Sequence, residues 1–232
     1  MTPKVSLNKL GEYHSQTNPA RRRTIVKDQI KSNKAAAPTY QKAIPIIAAC
    51  GIGPSFDSGK LSRLIEALSD QNGGTAWVKN DRTNTILALK HWQEIAGRIP
   101  ILAGFTVSKG EHSPPKIKMG GTDISIRPDL IIRGIYRGNE VVGGIKLHFS
   151  KTFAHQLPKE GGKCVAALTQ QFLQVTKSKG ETARHALCFS VDIFAERIVS
   201  APQNQANLLK SIEASCEEYG YRYQVMSENI SG

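Results

Sequence analysis

Residues 128–149 read PDLIIRGIYRGNEVVGGIKLHF, two largely apolar runs, Pro128 to Tyr136 and Val141 to Phe149, joined across Arg137-Gly138-Asn139-Glu140. Gly138-Asn139 is a two-residue turn signal of the Gly-first type, so the stretch predicts a β-hairpin in which Arg137 faces Glu140. In that register Asp129 lies opposite His148, Ile131 opposite Lys146 and Arg133 opposite Gly144. Opposed residues project from the same face of a ribbon, so Asp129, Lys146 and His148 share one side. Leu130, Ile132, Ile145 and Leu147 form the other, which is wholly apolar and must be buried.

Working outward, Ile99–Val107 and Thr122–Ile126 read as strands, separated by a loop from Lys109 to Gly121 rich in Gly, Pro and Lys. Beyond the hairpin the pattern predicts a helix from about Glu160 to Lys177, a bulged or broken strand over Ala186–Val199, and a final helix from about Asn204 to Tyr219. Upstream, KLSRLIEALSD (Lys60–Asp70) puts Leu61, Leu64, Ile65 and Leu68 on one helical face, with Glu66 beside it and Asp57 or Ser58 as its cap. Thr39–Ala49 reads as a helix kinked or split at Pro45, and Asn84–Gly97 as one containing Trp92. Helices around a meander of strands, followed by helix, strand and helix, predict a mixed α/β sandwich.

The chain has 232 residues, with 31 Lys and Arg against 19 Asp and Glu, a net charge of +12. That composition excludes fibrous and wholly disordered classes, and the charge favours a polyanionic partner. Residues 1–34 hold eight Lys and Arg against Glu12 and Asp28, so +6 of the +12 lies in this segment. Asn18-Pro19 is a helix start, and the basic helix that follows turns Ile25, Val26 and Ile30 inward and Arg21, Arg22, Arg23 and Lys27 outward. That face is either simply solvated or a phosphate-tracking patch. Four phosphate contacts would give a slope of log affinity against log salt of about −3.6.

No apolar window reaches membrane-spanning length, and the N-terminal residues lack the apolar core of a secretory signal. Cys50, Cys164, Cys188 and Cys216 are far apart and read as buried thiols. The expectation is a cytoplasmic protein with a basic helical extension (1–56) and an α/β domain (57–232).

A carboxylate and an ammonium group on adjacent strands can hold a hard divalent cation and stabilise a phosphorus under attack. The bland alternative is a surface ion pair worth less than about 1 kcal/mol. Phosphate-loop, serine-hydrolase and zinc-protease motifs are absent from the sequence.

Pro128-Asp129, the hairpin, and an apolar strand ending in Ile145-Lys146 resemble the core of the PD-(D/E)xK, restriction-endonuclease-like nuclease superfamily, over roughly Lys60 to Tyr219. The resemblance implies a restriction-endonuclease-like mixed sheet flanked by helices, with an N-terminal helical extension. It implies that Asp129 ligates Mg²⁺, for which Mn²⁺ can substitute, that Lys146 acts at the attacking water, and that Glu66 is an auxiliary ligand. Gln170 or Gln171 resembles a glutamine that some branches place near the site, and His148 is a candidate proton carrier or ligand. One position departs from the pattern: the second acid belongs two residues before the lysine, where this chain has Gly144. The function expected is metal-dependent DNA endonuclease activity on DNA or another nucleic acid, with no membrane partner and a homodimer compatible with it. The alternative is a catalytically inactive nucleic-acid-binding or scaffold protein that keeps the fold. A third reading is a protein-interaction module whose charge serves solubility.

Overall fold

The computed structural model describes residues 2–31, 40, 42–111, 115–176 and 180–231. In chain order the elements are β1 (Lys4–Ser6), α1 (Leu7–Ser15), α2 (Pro19–Lys31), α3 (Ala43–Cys50), α4 (Ser58–Ser69), α5 (Ala76–Ile95), β2 (Thr106–Lys109), β3 (Ile117–Met119), β4 (Thr122–Ser125), β5 (Leu130–Tyr136), β6 (Asn139–His148), α6 (Lys159–Thr176), β7 (Thr182–Asp192), β8 (Arg197–Ser200) and α7 (Ala206–Ser231). The expected helix start at Thr39, the lone His112 and the expected helix end at Lys177 lie outside the described residues. Among the described residues no helix is long and apolar enough to cross a membrane.

The main sheet has the order β2-β5-β6-β7-β8, antiparallel throughout except for the parallel pair β6–β7, which α6 connects. Side chains alternate across it with the period of two that a pleated strand imposes. Leu130, Ile132, Ile145, Leu147, Phe189 and Val191 face one way and join α3, α4 and α5 in a core that also encloses Trp92. Val142, Ala183 and Cys188 face the other, against Leu168 and Phe172 of α6 and the core shared with α1 and α7. A smaller sheet, β1-β4-β3, closes this second side, with β1 parallel to β4. The protein is therefore mixed α/β with helices on both faces of its main sheet. All four cysteines are free and buried, and burial pushes the thiols of Cys188 and Cys216 up to about 12.

The hairpin departs from its expected register. Tyr136 pairs with Asn139 and Leu130 with Ile145, so Arg137 and Gly138 form the turn. Both have positive φ, 49° and 78°, the conformation of a type I′ turn, whose twist matches that of the flanking strands. The slip moves each partner by two residues, which preserves every face and brings Asp129 level with Lys146 rather than His148.

Other boundaries also differ. The run from Ile99 to Phe105 is a loop that buries Ile99, Ile101 and Phe105, and only Thr106–Lys109 is strand; β3 forms inside the expected loop; the broken strand resolves into β7 and β8. α5 begins at Ala76, capped by Thr75, ahead of the start expected at Asn84, and α7 runs on to Ser231. Residues of the expected extension 1–56 contribute to both cores: Leu7, Leu10 and Tyr13 to one, Ile47, Cys50 and Ile52 to the other.

Two glycines shape the centre of the sheet. Between Val142 and Gly144 the register with β7 jumps from Ala183 to Cys188, and this irregularity presses the Leu187 carbonyl into the space that a Cβ on Gly143 would need. On the opposite face a Cβ on Gly144 would lie 3.1 Å from Leu173 Cδ1 and 3.2 Å from both Pro128 Cβ and Thr169 Cγ2. The position where the resemblance calls for an acid is thus filled by α6.

Candidate active site

β5 ends at Leu130 while β6 continues to His148, so the backbone groups of Leu147 that would face β5 need other partners. Side chains supply them. The Leu147 N–H donates to Asp129 Oδ2 at 2.8 Å, and the Leu147 carbonyl accepts from Asn8 Nδ2 of α1 at 2.9 Å. The Asp129 N–H donates to Ile145 O at 2.8 Å, extending the ladder one residue past the strand. Lys146 Nζ lies 3.0 Å from Asp129 Oδ2, and the two side chains are only 17% and 13% exposed. Asp129 Oδ1 has no partner among the described residues.

His148 is buried, and its Nε2 lies 2.8 Å from the His155 carbonyl. A carbonyl can only accept, so Nε2 carries a proton, and in the neutral form of the ring the lone pair is on Nδ1. Asp129, Lys146 and His148 line one cavity of about 800 Å³. Lys9, Lys109 and Arg127 add positive charge to its walls, and Glu111 adds one further carboxylate. Gly110 fixes the approach to Glu111: its N–H donates to the Asp129 carbonyl at 2.9 Å, and a Cβ there would overlap the Pro128 carbonyl.

The remaining site candidates lie elsewhere. Glu66 is exposed on α4, which turns Leu61 and Ile65 inward, and does not line the cavity. Gln170 Nε2 donates to the Ala183 carbonyl at 3.3 Å and its Oε1 accepts from Gln205. Ala183 pairs with Val142, four residues from Lys146, which at about 3.3 Å per residue puts Gln170 near a point roughly 13 Å along the strand. Gln171 also bonds Gln205. Among the described residues, no three His, Cys, Asp or Glu side chains gather as a metal site would require.

On α2, Asn18 caps the helix through its side chain, accepting from the N–H groups of Ala20 at 2.9 Å and Arg21 at 3.3 Å, with Pro19 as the first helical residue. Two of the four expected outward cations are held inside the molecule. Arg21 pairs with Glu12 of α1; Arg22 donates to the Gln16 carbonyl at 2.7 Å and to Glu218 of α7 at 2.5 Å. Arg23 and Lys27 are exposed. Burial alone would raise the Glu12 carboxyl, but Lys9 and Arg21 outweigh it and hold the group below its ordinary value.

Asn8, Lys9, Lys109, Glu111 and Arg127 were not singled out from the sequence. For Asn8 and Lys9 the signal was the spacing of Leu7, Leu10 and Tyr13, masked by Gly11 in mid-helix. That glycine has a packing cause: a Cβ there would meet Val165 Cγ2 at 2.7 Å and Gly161 O at 2.9 Å, where α1 crosses α6.

No family model matches the chain, and no curated protein matches it significantly.

Proposed function

We propose that this protein is a metal-dependent DNA endonuclease with a restriction-endonuclease-like sheet, and that Asp129 and Lys146 form its centre. The observation that carries the reading is the 3.0 Å pairing of these two groups at the wall of a cavity also lined by Lys9, Lys109 and Arg127. The order of elements, a three-strand meander, then a helix and a parallel strand, supports the same reading.

Asp129 Oδ1 is the donor that the sheet offers here to a hard divalent cation. Mg²⁺ held by it would acidify a bound water and offset phosphate charge. The chain's own residues do the rest. Lys9, Lys109 and Arg127 draw the DNA backbone into the cavity. Lys146, fixed by Asp129, places its ammonium group to stabilise the charge that builds on phosphorus during attack. His148, pinned through Nε2, offers Nδ1 as a proton carrier. The reading places the protein in the cytoplasm, with its cysteines reduced.

The test is incubation with single-stranded, duplex and branched DNA in Mg²⁺ or Mn²⁺. The wild type cleaves at least one of them, while Asp129→Ala and Lys146→Ala lose cleavage and still bind DNA. A second reading, an inactive nucleic-acid-binding protein of the same fold, is favoured by one observation: Leu173, Thr169 and Pro128 crowd the space over Gly144 where the second acid would stand. DNA binding without cleavage of any substrate would establish that reading instead.

A further inference from the structure

Among the described residues Asp129 is the one carboxylate that the main sheet brings to this cavity, Glu111 lies past the end of β2, and a Cβ at position 144 would be crowded, so a cation site here draws its further oxygens from outside the sheet. We propose that Asn8 Oδ1, supplied by the N-terminal helix, is the second protein ligand of the divalent-cation site at Asp129. This rests on the nuclease reading above and names a residue that completes its site.

The two side chains flank one residue. Asn8 Nδ2 donates to the Leu147 carbonyl at 2.9 Å, and Asp129 Oδ2 accepts from the Leu147 N–H at 2.8 Å. Those bonds fix both side chains, and in each one oxygen is left over. The amide orientation is settled by chemistry, because a carbonyl can be met only by the NH₂ end of Asn8. Asn8 Oδ1 is therefore the atom left over, and it is buried with no hydrogen-bond partner among the described residues. A buried amide oxygen left unmet is costly, so such atoms in native proteins are normally satisfied by a group not yet counted, a water or an ion among them. Asn8 lines the same cavity as Asp129 and His148, and an amide oxygen is a regular ligand of hard divalent cations.

The experiment is titration of the full chain with Mn²⁺ or Mg²⁺ in the millimolar range, followed by calorimetry and, for Mn²⁺, by electron paramagnetic resonance. Folding is monitored by circular dichroism. Asn8→Ala is expected to weaken cation binding at least about tenfold, and Asp129→Asn to abolish it. Asn8→Asp is expected to bind the cation more tightly than wild type, because it adds the missing charge, although it loses the bond to Leu147. If Asn8 only caps the strand, Asn8→Ala lowers thermal stability with cation affinity unchanged and Asn8→Asp brings no gain; that result overturns the proposal and leaves the nuclease reading standing. If the wild type binds neither cation, the metal-dependent reading itself fails, and this proposal with it.

Discussion

At the scale of single residues, the paired glycines of β6 explain why this chain departs from the pattern its sequence resembles. Gly143 is closed off by the Leu187 carbonyl and Gly144 by Thr169, Leu173 and Pro128. Gly143→Ala should therefore cost about 1–3 kcal/mol in urea unfolding, as overpacking does, and an unchanged midpoint would mean that the β7 irregularity yields freely. Asp129 and Lys146 should not be equivalent in stability. Asp129→Ala strips the Leu147 N–H of its acceptor as well as Lys146 of its partner, whereas Lys146→Met breaks the pair but leaves the Leu147 N–H its acceptor. The first should lose about 1–3 kcal/mol more than the second, measured by denaturant midpoints. The shared face of Asp129, Lys146 and His148 was legible in the sequence because a strand's period of two survives a slip of two residues. The partner of Asp129 was not legible, because Arg137 at φ 49° occupies a turn position where sequence alone favours glycine.

At the scale of elements, α2 was legible and its charges were misread. Asn18-Pro19 marked its start, and Ile25 and Val26 its buried side. Nothing local could reveal that Arg21 and Arg22 meet Glu12 and Glu218, because the second partner lies 196 residues away. With only Arg23 and Lys27 exposed among those four, DNA held along α2 should show a slope of log affinity against log salt of about −1.8 from this helix, half the value four contacts would give. The difference in slope between wild type and the double variant Arg23→Ala, Lys27→Ala checks it; a difference near zero would mean that this face of α2 does not track the backbone. Helix α1 was not legible because Gly11 interrupts its pattern, and with it went Asn8 and Lys9, the contribution of this helix to the cavity wall. Glu66 illustrates the opposite error: a correctly predicted helix that turns its acid outward.

At the scale of the whole molecule, the joint between α1, α2 and α7 makes the fold sensitive to acid. Burial first, and then repulsion by Arg22, lowers the pKa of His14, with Glu160 opposing. The unfolded chain then takes up that proton before the folded one does, so stability present above the ordinary value of 6.5 fades as pH falls from there towards the folded value. Glu12 also lies below its ordinary 4.5, and its contribution is complete above that value and fades as pH falls through the folded one. Melting temperature should thus decline in two stages on acidification; His14→Gln should remove the upper stage and Glu12→Gln the lower, and a profile unaltered by both would sink the account. The same joint governs how the protein is made. β1 pairs Lys4 with Asp123, and Gly11 of α1 fits against Gly161 and Val165 of α6, so this segment finds its partners only late in synthesis. At about 5–20 residues per second, Val5, Leu7, Leu10 and Tyr13 wait roughly 6–24 s for the strand that covers them, and longer for the helix. Throughout that interval the nascent chain carries an uncovered greasy stretch, a natural client for a chaperone, and a ribosome that stalls before Val165 would release a fragment unable to hide it.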